Sequence, residues 1–275
     1  MTTLSGKTIL MSGGSRGIGL AIALKAAADG ANVALIAKTD RPDPRLKGTI
    51  HTAAAEIEAA GGQALPIVGD VRDDATIERA VEETVERFHG IDIVVNNASV
   101  LNLSGTSALD PKRYDLMQDV NVRGTFMLTR AAIPHLVQAD DPKVLTLSPP
   151  INLDPKWFRA HPAYTMAKYG MTMAALGFAH ELADLGICST ALWPATLVAT
   201  DAIGNLPGGE QMVAVSRKPD IVADAAYEVL TTKGQELNGR TIIDEELLRE
   251  RGVSDFAAYS MTGRDEGLAP DIFLG

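Results

Sequence analysis

A tyrosine and a lysine stand four residues apart in "YTMAK" (164–168), a spacing that puts Tyr164 and Lys168 on one face of a helix. An ammonium held beside a phenol favours the phenolate and draws it down from a reference pKa of about 10 toward working pH. A tyrosine so tuned can give a proton to a carbonyl oxygen under reduction by hydride, or take one from an alcohol. Upstream, in "SPPINLDPKWFRAHPA", Ser148 offers a hydroxyl that could polarise the same oxygen, with Asn152 in reserve and water as a third choice. Pro149 has no donor of its own. One step along an extended strand turns a side chain to the other face, so a bend imposed by Pro149 and Pro150 would be needed to redirect Ser148.

Hydride chemistry needs a carrier, and the N-terminal "SGGSRGIGLAIALKAAADG" has the pattern of a nucleotide turn. Gly13, Gly17 and Gly19 lie between a predicted strand and the helix it opens, where the backbone must curl tightly and let a pyrophosphate approach the helix N-terminus. The second strand, "NVALIAKTD", ends in Ala37 and Lys38. An acidic residue there would bond a ribose 2′-hydroxyl, whereas a cation attracts a 2′-phosphate, so Lys38, with Arg16 as a second cation, points to NADP(H). The alternative is a merely solvated Lys38, with Asp40 on the ribose. Asp70, in "VGDVRD", falls at the end of the third strand, where open sheets bind ligands, while Asp73 or Asp74 is better placed to cap the helix that follows.

These groups need a scaffold to bring them together. Short apolar runs, "KTILMS" (7–12), "NVALIA" (32–37), "QALPIV" (63–68), "IDIVVN" (91–96), "KVLTLS" (143–148), "ICSTALW" (187–193) and "GRTIID" (239–244), alternate with segments of helical period. The pattern predicts a single α/β domain over 1–275: a Rossmann-type, doubly wound parallel sheet of about seven strands with helices on both faces. A polar loop (39–51) and a C-terminal extension (245–275) look like additions to it.

Composition narrows the partners. A net charge of −10 with no basic stripe argues against nucleic acid, and no apolar run reaches the ~20 residues of a membrane span. Five scattered histidines and one cysteine offer no metal site. That single cysteine, Cys188, and the lack of a basic segment before an apolar one at the start point to a reducing, cytoplasmic location.

Taken in order, "SGGSRGIG" (12–19), "NNAS" (96–99), "NVRG" (121–124) and "YTMAK" (164–168) resemble the short-chain dehydrogenases/reductases. "IAKT" (36–39), "SPPINLDPKWF" (148–158), "HPAYTMAKYGM" (161–171), "ALWPATLVAT" (191–200) and "LAPDIFLG" resemble one subgroup more closely, a dehydrogenase portion typically followed by a sterol-carrier domain. The resemblance implies that Gly13, Ser15, Arg16, Gly17, Ile18 and Gly19 hold the pyrophosphate end of the cofactor, Lys38 the 2′-phosphate, and Asp70 with Val71 the adenine. Asn97 would support the sheet beside it, and Ala98, Pro194 and Leu197 would also bind the cofactor. Tyr164 would exchange the proton, Lys168 would assist it and hold the nicotinamide ribose, and Asn121 would complete a proton relay. In most of the family a serine thirteen residues before the tyrosine polarises the substrate; here that position is Ile151, and strand alignment gives Pro149, one residue past Ser148. Ser12, Ser99 and Ala195 also depart from the usual threonine and glycines.

The leading expectation is an NADP(H)-dependent oxidoreductase for a carbonyl or secondary alcohol, in a homo-oligomer, with a lipophilic small-molecule substrate. Trp157, Phe158, Leu197, Val198, Leu206 and Met212 are the candidate apolar lining. A nucleotide-binding sensor or scaffold without turnover and a reductase of unsaturated acyl thioesters are the alternatives.

Overall fold

The computed structural model describes residues 3–43, 46 and 48–274. Pro44, Arg45 and Lys47 of the polar loop, like Met1, Thr2 and Gly275, lie outside the described residues. Seven strands form one sheet: β1 (Thr8–Ser12), β2 (Asn32–Ala37), β3 (Gln63–Val68), β4 (Ile93–Asn96), β5 (Lys143–Leu147), β6 (Cys188–Trp193) and β7 (Thr241–Ile243). Their order is β3-β2-β1-β4-β5-β6-β7, and every pairing is parallel. The order reverses between β1 and β4, so the helices following these strands leave on opposite faces and open a crevice at the carboxyl edge.

Eleven α-helices are described: α1 (Gly17–Ala28), α2 (Ile50–Ala59), α3 (Asp74–Phe88), α4 (Pro111–Gln118), α5 (Gly124–Leu136), α6 (Pro155–Ala160), α7 (Pro162–Glu181), α8 (Asp201–Gly204), α9 (Gly209–Ala214), α10 (Asp220–Thr231) and α11 (Asp244–Glu250). Strand alternation sorts the core. Ile9 and Met11 of β1 pack with Ile22 of α1 and Ile221 and Val222 of α10, while Leu10 between them packs with Ile77 of α3 and Leu128 of α5. Burying each such side chain contributes about 1.5–3 kcal/mol, which fixes both helix layers to the sheet. The Asp73 carboxylate accepts from Thr76 N–H and caps α3, leaving Asp70 to the crevice.

The C-terminal extension is stitched to the body. Arg217, 3% exposed, is paired with Glu245 and, at 2.5 Å, with Asp265. Pro270 bridges antiparallel to Thr196 in the segment after β6. Among the described residues no helix is long and apolar enough to cross a membrane.

Candidate active site

The glycine loop is shaped by steric need. Gly13 has φ +75°, and a Cβ there would lie 2.8 Å from Ala98 Cα. A Cβ on Gly19 would meet Asn97 Nδ2 and the Gly13 carbonyl, each at 2.5 Å. Asn97 locks this approach by donating from Nδ2 to Gly13 O at 2.8 Å. The N-cap residue of α1, Arg16, makes no side-chain cap hydrogen bond to the helix, whose positive end faces the loop.

From this loop a cavity of about 550 Å³ runs along the carboxyl edge of the sheet. Every cofactor residue expected from the sequence lines it except Gly19, which instead allows the close packing beneath. At one end, Lys38 Nζ lies 3.4 Å from Asp70, whose carboxylate also takes two hydrogen bonds from the Arg72 guanidinium, at 2.8 and 3.0 Å. Burial works to raise the Asp70 pKa, but the Arg72 hydrogen bonds and the charges of Lys38 and Arg72 outweigh it and bring the group down to about 2. Asp40 is engaged by His51 Nε2 at 2.7 Å and does not line the cavity.

At the other end lie Tyr164 and Lys168, 6% and 2% exposed. Lys168 Nζ donates to the Leu147 carbonyl at 2.6 Å and sits 4.9 Å from the Trp193 ring centroid. Burial lowers the Lys168 pKa to about 7 against the opposing charge of Asp271. The expectation that Lys168 draws the Tyr164 phenol down does not hold in this geometry: burial first, and Asp271 second, push the phenol well above its usual range. The ammonium is directed at the Leu147 carbonyl, so desolvation dominates.

Asn121 sits in a π-helical turn, Asp119–Arg123, between α4 and α5. Its side chain is fully buried and clamps Val100, accepting from the backbone N–H at 2.7 Å and donating to the carbonyl at 3.1 Å. The side chain is thus occupied by the Val100 backbone.

The serine and its reserve are not brought to the cavity. Ser148 is 1% exposed, its Oγ has no hydrogen-bond partner, and it is absent from the lining. Its backbone N–H still donates to Leu192 O of β6 at 3.1 Å, so the strand end holds its register before Pro149. Asn152 is committed to backbone, donating to Phe273 O at 3.1 Å and accepting from Asp154 N–H. Leu197, Val198, Leu206 and Met212 line the cavity as expected, but Trp157 packs on Phe273 and Phe158 on Tyr169.

Three functional candidates were not visible in the sequence. The C-terminal segment lays Asp271 and Ile272 into the cavity, fastened by Leu197 N–H to Ala269 O at 3.0 Å, Asp271 N–H to Ala195 O at 3.1 Å, and Trp193 Nε1–H to Ile272 O at 3.0 Å. Phe273 is fully buried behind Tyr164. The signals were the subgroup-like "LAPDIFLG" and the acidic residue inside its apolar run, which also suits a solvated tail.

The short chain dehydrogenase family model matches residues 7–210. Hydroxysteroid dehydrogenase-like protein 2 of Danio rerio is 51% identical over 271 residues, which cover 98% of this chain and 64% of that protein. The chain therefore spans less than two thirds of that curated relative. A short chain dehydrogenase structure from Mycobacterium thermoresistibile is 54% identical with TM-score 0.93, covering 99% of this chain and 96% of that one. One from Burkholderia cenocepacia in complex with NADP is 28% identical with TM-score 0.74, covering 88% and 97%. With the parallel sheet, the glycine loop at its reversal point and the Tyr164–Lys168 pair at the cavity's far end, these matches establish that the chain belongs to the short-chain dehydrogenase family.

Proposed function

We propose that the protein is an NADP(H)-dependent oxidoreductase acting on a carbonyl or secondary alcohol of a lipid-like molecule, in the cytoplasm and as a homo-oligomer. The observation that carries this reading is the single cavity joining Lys38 at one end to Tyr164 and Lys168 at the other. The residues fit the nucleotide. The N-terminus of α1 and the glycine cradle suit a pyrophosphate, and Lys38, more than half exposed, suits a 2′-phosphate. The bound nicotinamide would supply or accept the hydride.

The protein's own part is position and protons. Tyr164, held protonated by its burial, donates to the substrate oxygen as it gains charge in the reductive direction. Lys168, at the same end of the cavity, assists it and would hold the nicotinamide ribose, and Leu197, Val198, Leu206 and Met212 exclude water from the substrate. Similarity to hydroxysteroid dehydrogenase-like protein 2 and this apolar wall support the lipid-like assignment. The NADP named with the Burkholderia cenocepacia structure supports the cofactor assignment.

The buried Ser148 favours a second reading, nucleotide binding without turnover. A panel of ketones, alcohols and unsaturated acyl thioesters, followed by NADP(H) absorbance, separates them. Ketone or alcohol turnover supports the proposal, thioester turnover alone changes the reaction, and nucleotide binding with no turnover selects the second reading.

A further inference from the structure

Lys168 is a buried ammonium with no carboxylate in salt-bridge contact among the described residues; its close partners are a carbonyl, a thioether at 3.5 Å and an indole face. An isolated charge in such surroundings is costly and tends to lose its proton. The cavity wall supplies a carboxyl all the same. Of the lining carboxylates, Asp70 is held by Lys38 and Arg72 at the far end and Asp201 begins α8, while Asp271 lines the wall with Trp193, whose ring lies against Lys168 Nζ and whose indole N–H bonds the next residue, Ile272. Its place is fixed by the backbone bonds of the C-terminal segment to Ala195, Leu197 and Trp193 and by the burial of Phe273 next to it.

We propose that Asp271, delivered by the C-terminal segment, is the carboxyl partner of Lys168: a positioning residue that keeps the ammonium charged where it serves Tyr164. This rests on the roles given above to Tyr164 and Lys168. The titratable groups bearing on Asp271 are Lys168 and Tyr164 from α7 and Asp244 from the start of α11; the Pro194–Leu197 segment contributes none. Burial and the Asp244 charge raise the Asp271 carboxyl to about 7, opposed by the Ile272 N–H and by Lys168. Lys168 and Asp271 each favour the charged form of the other, by the same coupling. Losing the carboxylate lowers the Lys168 pKa, so the ammonium is lost as pH rises through a lower value.

The competing account is structural, since Asp271 Oδ1 accepts from Ile272 N–H at 2.7 Å. Asp271→Asn separates the two, because an amide oxygen keeps that bond while the charge goes. The variant is expected to keep its thermal midpoint but to move the alkaline limb of its kcat profile down by about one pH unit, an approximately tenfold loss above that limb that recovers on acidification. Asp271→Glu should restore part of the profile. An unmoved limb in Asp271→Asn would overturn the proposal. A measurement independent of turnover follows the ¹³C-carboxyl resonance of Asp271, assigned by its loss in Asp271→Asn. Its midpoint is expected near neutrality and should rise by a unit or more in Lys168→Met; an unchanged midpoint contradicts the pairing. If the wild type reduces nothing, the oxidoreductase reading fails while this titration still decides the pair.

Discussion

Phe273 stacks on Tyr164, with ring centroids 6.0 Å apart and planes 25° from parallel. The contact ties the end of the chain to the proposed proton donor. Phe273 also meets Tyr169, Trp157, Trp193 and His161 at 5.1–6.1 Å, so it is the hub of an aromatic cluster.

Phe273→Ala is expected to cost about 3–5 kcal/mol in urea unfolding, the range for removing a fully buried aromatic. It should also lower kcat, since the rear wall of Tyr164 is lost. A change below about 1 kcal/mol would show that the segment is only loosely attached.

Gly19→Ala places a methyl group against the Gly13 carbonyl and Asn97 Nδ2, and the carbonyl cannot swing aside without reshaping the loop. Overpacking of this kind costs about 1–3 kcal/mol. Fluorescence titration should show a fall in nucleotide affinity of about tenfold or more. Wild-type affinity would mean that the loop relaxes without cost.

Lys38→Ala is expected to remove about 1–3 kcal/mol of NADPH binding while leaving NADH nearly unchanged. The measurement is a pair of dissociation constants for each protein. Equal affinities for NADPH and NADH in the wild type would overturn the NADP(H) assignment.

Ser148→Ala is expected to leave kcat within a factor of about three and stability unchanged or improved, because it removes a buried hydroxyl that has no partner. A loss of about 10²–10³ would instead show that the strand end rearranges on substrate binding and presents the serine as an oxyanion-type donor.

The sheet was legible because strand and helix alternate with clear changes of period, and the convergence of the glycine loop and Lys38 on one cavity because a strand-to-helix turn and a strand end constrain side chains locally. The shared placement of Tyr164 and Lys168 at the cavity was legible for the same reason, since i and i+4 share a helix face. Ser148 was not, because the face taken by the last residue of a strand depends on whether the following prolines break register, and here Ser148 N–H keeps its bond to Leu192. Asp271 was not, because its place depends on a tail folding back onto the segment after β6, a contact between positions remote in sequence. The downward shift expected for Tyr164 failed for a related reason: the spacing gives adjacency but not the Leu147 carbonyl, which accepts the Lys168 hydrogen bond.

The central claim is that Tyr164 exchanges the proton. The most direct test compares Tyr164→Phe with the wild type at saturating NADPH on a carbonyl that the wild type reduces, with NADPH affinity measured alongside. A fall in kcat of about 10²–10⁴ with nearly unchanged NADPH affinity is the predicted result. Retention of most of the wild-type kcat by Tyr164→Phe would contradict the account and move the proton donor elsewhere in the cavity.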